Sequence, residues 1–376
     1  MSKTKKKILC FSGTRADYGI YRPLLFEIEK SSCFELQLVV TGMHVLEEYG
    51  VTIHEVRKDP FYILSTPSIL VKGDTKGAMA KATGLASLYF ADIIEQAAPD
   101  AILILGDRGE MIAAAMTAHY QNVVILHLHG GEKSGSADDA VRHAISKLST
   151  YHFVSSVQSK QRLLSMGEQE TNIFVIGSLR KHDIQEIRRM SKEEKLGLTK
   201  KLNLAQRQKK ILFVLHPDSK DNLPFFVQIN ESLEAMKDFP EAQLFLLGTN
   251  SDAGGEVFRK SINTFVNQHK NVAYFDSLPP SEYLFLLSQV DVLVGNSSSG
   301  IIEAPFVNVP FVNIGNRQRN REHGENLIHV KQNAADIKRG IQEALVSEWK
   351  YKKNPYDVVE SPAGEMVKVM RKLLLR

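Results

Sequence analysis

The sequence predicts an α/β protein built as two Rossmann-like domains in tandem, and three observations predict it. Short apolar runs alternate with longer amphipathic stretches. The runs are continuously apolar rather than alternating, as expected of strands buried on both faces of a parallel sheet. The whole pattern then restarts after a polar, lysine-rich stretch at residues 191–210. At 376 residues the chain is too long for one ordinary core and long enough for two.

The first series opens with a strand at residues 7–11 and an amphipathic helix at 18–30. Strands follow at 35–40, 101–105, 123–126, 151–154 and 173–176, with helices at 77–97 and 110–120 between them. The second series places strands at 211–215, 243–247, 272–275, 290–294 and 311–314. Asn354-Pro355 then breaks the chain ahead of a basic amphipathic tail, 361–376, which is expected to cross back onto the first domain. The expected organisation is a domain at 1–178, a second at 179–354, and a returning C-terminal helix at 355–376.

A hydrophobic content of 43% with 24% charged residues is that of a soluble globular chain. The net charge of +4 suits an anionic small ligand. It is too weak to argue for nucleic acid, and no basic run is interleaved with aromatics. No apolar stretch is long enough to span a bilayer and no signal peptide is read, so neither membrane nor export is expected and a cytoplasmic location is. Cys10 and Cys33 are isolated, without CxxC spacing, so neither a disulfide framework nor a zinc site is implied.

The chemistry concentrates where strands end. The turn after the first strand, residues 12–19, is not GxGxxG, and no Walker loop occurs anywhere, which argues against a dinucleotide coenzyme. Arg15 at that turn suits a phosphate or carboxylate, or is a plain surface arginine. The strand at 101–105 opens into Gly106-Asp107-Arg108, either a structural ion pair or a site. The strand at 123–126 leads into HLHGGEKSGSADDAVRH, residues 127–143, with three histidines, three carboxylates and an arginine among glycines. In an open α/β sheet this edge is where ligands bind. Here Asp138 could pair with Arg142, or Asp139 with His143, across one helical turn. One aspartate is accounted for by stabilising a helix start. The remaining cluster, with His129 and Glu132, favours acid–base work, because neighbouring carboxylates raise one another's pKa. Its spacing fits none of the usual zinc signatures, so no metal is expected.

In the second domain, His216 follows the strand at 211–215 and faces a central cleft if the two sheets oppose their carboxyl edges. Asn250 and Asp252 lie at the same edge. The run GNSSSG, residues 295–300, sits at a strand-to-helix turn where free backbone N–H groups and hydroxyls hold an anion. Glu303 follows, and Arg317, Arg319 or Arg321 completes the charge balance.

Taken together, LGDRGE, HLHGGEKSGSADDAVRHAISKLS, LHPD, GNSSSGIIEAP and IGNRQRNRE, with the opening SGTRADYG and TGMH, resemble the hydrolysing UDP-N-acetylglucosamine 2-epimerases of sialic-acid and related nonulosonate pathways. The similarity runs in order along essentially the whole chain. It implies a GT-B architecture, with two parallel sheets facing a central cleft, and conversion of UDP-GlcNAc and water to ManNAc and UDP. The implied route is anti elimination of UDP to a 2-acetamidoglucal followed by syn hydration, with no nicotinamide, flavin or catalytic metal. By the same resemblance Asp107 and Asp138 are acid–base groups, with Glu132 and Asp139 shaping their pocket and Arg142 and His143 beside them. His216 assists the departing phosphate or polarises the sugar. Ser297 and Ser298 hold the diphosphate, with charge from Arg15 and Arg317, and Glu303 binds the ribose. Arg108, Asn250, Asp252 and Tyr283 surround nucleotide or sugar. A homodimer or homotetramer is also implied, with helices 77–97 and 110–120 available to bury a subunit face. Many members read HIEGGE where this chain reads HLHGGE, placing glutamate at the position of His129. The histidine form occurs in members that accept a UDP-linked bacillosamine derivative, so UDP-2,4-diacetamido-2,4,6-trideoxyglucose is the alternative substrate.

Overall fold

The structure, a computed structural model, describes residues 4–47, 51–71, 75–133, 138–206, 208–249, 254–346, 349 and 353–375. The chain divides into two compact units, residues 1–182 with 358–376, and residues 183–357. In the first unit β1 (Lys6–Ser12), α1 (Arg15–Glu29), β2 (Phe34–Val40), α2 (Ile53–Val56), β3 (Ile63–Ser65), α3 (Lys76–Ala97), β4 (Ala101–Leu105) and α4 (Gly109–Tyr120) come first. They are followed by β5 (Val124–Leu128), α5 (Asp138–Leu148), β6 (Tyr151–Val154), α6 (Val157–Ser165) and β7 (Ile173–Val175). The chain passes into the second unit within α7 (Arg180–Arg189).

The second unit continues through α8 (Lys192–Lys201), β8 (Lys210–Val214), α9 (Phe225–Met236), β9 (Gln243–Leu247), α10 (Gly255–Gln268), β10 (Val272–Phe275) and α11 (Pro280–Leu287). It closes with β11 (Val292–Gly295), α12 (Ser299–Ile302), β12 (Phe311–Ile314), β13 (Leu327–Val330) and α13 (Ala334–Val346). Finally α14 (Pro362–Leu374) returns to the first unit.

Each unit is a parallel sheet, ordered β3-β2-β1-β4-β5-β6-β7 in the first and β10-β9-β8-β11-β12-β13 in the second. The alternation of side chains along a strand explains why helices cover both faces. Along β1, Ile8 and Cys10 join a core with Tyr21 and Leu25 of α1 and Met366 and Met370 of α14. Leu9 and Phe11 face the opposite layer, against Phe90 of α3 and Met111 of α4. β8 repeats the pattern, with Ile211 and Phe213 in one layer and Leu212 and Val214 in the other.

Two details depart from the strand pattern read in the sequence. β5 runs on through His127 and Leu128, so His127 lies within the strand instead of following it. Its register opposite Ile104 leaves it fully buried, with Nε2 2.9 Å from the Gly106 carbonyl and Nδ1 3.2 Å from Ser146 Oγ. A polar residue can extend a buried strand when both ring nitrogens find partners. The edge strands β3 and β13 were not anticipated, since both are short and only half-buried and so carry no continuous apolar run.

Candidate active site

Both sheets reverse their winding beside a central strand, between β1 and β4 in the first unit and between β8 and β11 in the second. At such a switch point the loops leaving the strands' carboxyl ends part, and ligands bind in the crevice between them. Asp107, His129 and Glu132 in the first unit and His216, Ser297 and Ser298 in the second lie in loops that follow the strands' carboxyl ends.

In the first unit the β1 turn is held by a reciprocal cap. Thr14 Oγ1 accepts the Asp17 N–H at 3.2 Å, and the Asp17 carboxylate accepts the N–H groups of Gly13 and Thr14 at 3.1 and 3.0 Å. Asp17 also accepts the Ser12 hydroxyl, and burial raises its pKa to about 6. His44 Nε2 lies 3.0 Å from that hydroxyl, and burial lowers the His44 pKa to about 4. The Glu110 carboxylate fills the space that a Cβ on Gly13 or Gly42 would need, and pairs with Arg108 at 3.3 Å. Glu110, Asp17 and His44 were not singled out as site groups. Each lies within a motif quoted from the sequence, Asp17 in SGTRADYG, His44 in TGMH and Glu110 in LGDRGE. Arg15, the first residue of α1, is exposed.

The β4 and β5 loops meet through Arg142 of α5. Its guanidinium is buried, donating to Asp107 and to the Glu132 carbonyl at 3.2 Å and standing 3.5 Å from Asp139. The arginine thus ties Asp107 and Asp139 together. The ion pair one turn along the helix is Asp139–Arg142, and Asp138 is exposed at the helix start. Asp139 also acts electrostatically on His143, raising its pKa against the larger, lowering effect of burial. Glu132 is buried, accepts the Ser155 hydroxyl at 2.6 Å and lies 2.9 Å from His129 Nδ1. Residues 134–137 lie outside the described residues.

In the second unit Asn296 is the organising group. Its Oδ1 accepts the His216 N–H at 2.8 Å and its Nδ2 donates to the His216 carbonyl at 2.8 Å, so the ends of β8 and β11 are clamped. Arg317 and Gln318 donate to the Asn296 carbonyl at 3.2 and 3.1 Å, which ties in the loop after β12. Gly295 makes this approach possible, because at φ +142° a Cβ there would overlap the Val214 carbonyl. Asn296 stands inside the GNSSSG run but was not singled out there. His216 Nδ1 is 3.4 Å from Thr249 Oγ1.

Ser297 Oγ accepts the Ser299 N–H at 3.3 Å, Ser298 precedes α12 without a side-chain capping bond, and Tyr283 bonds Ser299. The helix is a single turn, so the polarity of this loop comes from its own hydroxyl and N–H groups more than from a helix dipole. Glu303, half-buried, ends the turn. Asn250 and Asp252 lie outside the described residues.

Among the described residues no group of three or more His, Cys, Asp and Glu side chains is arranged to hold a metal, and no helix is long and apolar enough to cross a membrane.

Comparison with known proteins gives this geometry a context. A family model described as UDP-N-acetylglucosamine 2-epimerase matches residues 26–367. A Legionella pneumophila protein named UDP-N,N'-diacetylbacillosamine 2-epimerase (hydrolyzing) is 38% identical over 340 residues, covering 90% of this chain and 89% of its own. A Campylobacter jejuni GDP/UDP-N,N'-diacetylbacillosamine 2-epimerase (hydrolyzing) is 35% identical over 335 residues, covering 89% and 86%. The crystal structure of UDP-GlcNAc 2-epimerase from Neisseria meningitidis, bound to UDP-GlcNAc, aligns with TM-score 0.80 at 19% identity over 97% of this chain and 100% of that one. The fold is therefore of the GT-B-like class, with two Rossmann-like units.

Proposed function

The chain belongs to the UDP-N-acetylglucosamine 2-epimerase family, and from that premise we propose that it is a hydrolysing 2-epimerase of a UDP-linked 2-acetamido sugar. Water and the UDP-sugar give UDP and the free sugar inverted at C2. The observation that carries this reading is the cluster at the ends of β4 and β5, where Arg142 joins Asp107 to Asp139 and His129 pairs with Glu132. Eliminating UDP across C1–C2 and rehydrating the glucal demands proton donors and acceptors beside one another, and this cluster supplies them.

Asp107 and Asp138 act as acid–base groups in this reading, with Arg142 positioning Asp107 and Asp139. His216, held by Asn296, assists the departing diphosphate. Ser297, Ser298, Arg15 and Arg317 bind the diphosphate, and Glu303 the ribose. Tyr283, Arg108 and His143 complete the substrate pocket.

The favoured substrate is UDP-2,4-diacetamido-2,4,6-trideoxyglucose. Its support is the HLHGGE form of the loop and the two relatives named for diacetylbacillosamine, at 38% and 35% identity. UDP-GlcNAc is the second reading, supported by the description of the family model. The active assembly in this proposal is a homo-oligomer joined through α3 and α4, where Leu88, Tyr89, Met116 and Tyr120 are exposed.

Incubation with each sugar in D2O, followed by NMR, tests the reaction. The expected result is UDP release with deuterium at C2 of the free manno product, at least tenfold faster for the trideoxy sugar. Faster turnover of UDP-GlcNAc would favour the second reading. UDP release without C2 deuterium, or sugar joined to an acceptor, would overturn the epimerase reading in favour of a glycosyltransferase.

A further inference from the structure

His129 directly follows β5 and has φ +61°, a left-handed conformation that L residues seldom occupy. Such a conformation costs about 1–3 kcal/mol and persists only where its surroundings enforce it. The enforcement is visible on every side. The His129 N–H donates to the Phe153 carbonyl at 3.0 Å. Gly131, also left-handed at φ +70°, has no room for a Cβ against the Ser159 carbonyl. Arg162 holds the Gly131 carbonyl and Arg142 the Glu132 carbonyl. A turn of this shape is ordinarily filled by glycine or asparagine. Strain of this kind at a bulky residue clusters where the side chain has work to do.

The imidazole is correspondingly fixed. Nδ1 lies 2.9 Å from Glu132 Oε1, and the same oxygen accepts the hydroxyl of Ser155, which is 1% exposed. With a carboxylate as partner, Nδ1 carries the hydrogen of the neutral ring, and the lone pair is left on Nε2. Nε2 is buried and has no hydrogen-bond partner among the described residues. A buried acceptor without a partner carries a desolvation cost that a ligand's proton would remove.

We propose that Ser155, Glu132 and His129 form a relay in which His129 Nε2 takes the C2 proton of the substrate, Glu132 stabilises the imidazolium so formed, and Ser155 is a positioning residue for Glu132. This rests on the 2-epimerase reading above. In the step, the C2–H electron pair becomes the second C1–C2 bond while the anomeric C–O bond breaks and its electrons leave on the β-phosphate oxygen of UDP. The proton on Nε2 returns to solvent or product during hydration. The charged groups on the surrounding elements are Glu132 and Lys133 on the same loop, Asp107 after β4, Asp139 and Arg142 of α5, and Arg162 of α6. The neighbouring His127 of β5 is kept neutral by burial, its pKa lowered to about 3.

The test combines kinetics with ¹H–¹⁵N correlation spectra of the full chain labelled at histidine, with His129 assigned by His129→Gln. His129→Gln is expected to lower kcat about 100-fold or more, the usual worth of a general base. In Glu132→Gln the imidazolium formed in the step loses its counter-charge. That variant should lose kcat at least tenfold with KM little changed. Ser155→Ala should lower kcat by less, again with KM little changed, and Ser155→Thr should restore it. Unchanged turnover in His129→Gln, or unchanged kcat in Glu132→Gln, would overturn the relay. If the wild-type protein releases no UDP, the epimerase reading fails. The spectra then decide the His129–Glu132 pairing separately. An Nδ1-protonated ring that loses this tautomer preference in Glu132→Gln supports it, and an Nε2-protonated ring overturns it.

Discussion

His127 and His129 are two positions apart and have opposite environments. His127 is a satisfied core residue of β5, and His129 stands in a strained turn with a carboxylate on one nitrogen. Sequence pattern alone treats them as members of one polar run, because the point where a strand stops depends on its neighbours' register. The buried histidines have a consequence for stability. Burial lowers the pKa of His127 to about 3 and that of His44 to about 4, so both are neutral in the fold and titrate near 6.5 when unfolded. Their contribution is present above pH 6.5 and is lost as the pH falls toward the folded values. Asp17, raised by burial to about 6, works in the opposite sense, stabilising below about 4 and losing that contribution as the pH rises through 6. Replacing His127 with glutamine, which keeps a donor for the Gly106 carbonyl, should flatten the acid side. Urea unfolding at pH 6.5 and pH 5 should show the wild type losing about 2 kcal/mol more than the variant.

At the scale of elements, the proposed function rests on strand ends pinned from outside. The loop after β11 is the clearest case. GNSSSG was legible as a polar strand-to-helix turn, but its anchor, Asn296, was not, because its partner is the backbone of His216 on another strand. α14 bears on the first unit in the same external way. Its apolar face, Met366, Val367 and Met370, is buried against α1 and the sheet, while Lys368 points outward. Met366→Ala should cost about 2–5 kcal/mol of stability through lost packing and the cavity left behind. Lys368→Ala should stay within about 0.5 kcal/mol. Denaturant unfolding of the two variants checks the contrast, and equal effects would mean that the helix is not part of the unit's core.

For the whole molecule, the proposed homo-oligomer makes a separate prediction. Sedimentation velocity at micromolar concentration should find a dimer or tetramer, and Leu88→Glu with Tyr120→Glu should give monomers with the fold intact by circular dichroism. A monomeric wild type would remove α3 and α4 as a subunit face. The sequence by itself determined that the chain makes two parallel-sheet α/β units and that polar residues cluster where particular strands end. Both follow from local properties, apolar runs of strand length and the polar residues directly after them. Only the tertiary structure decided which strand ends adjoin, with β5 beside β4 and β11 beside β8. That adjacency lets Arg142 reach Asp107 across 35 positions and Asn296 hold His216 across 80. It also separated the core histidine from the one in the strained turn. The physical reason is that strand order, register and burial are set by pairing between distant segments, which no local period encodes.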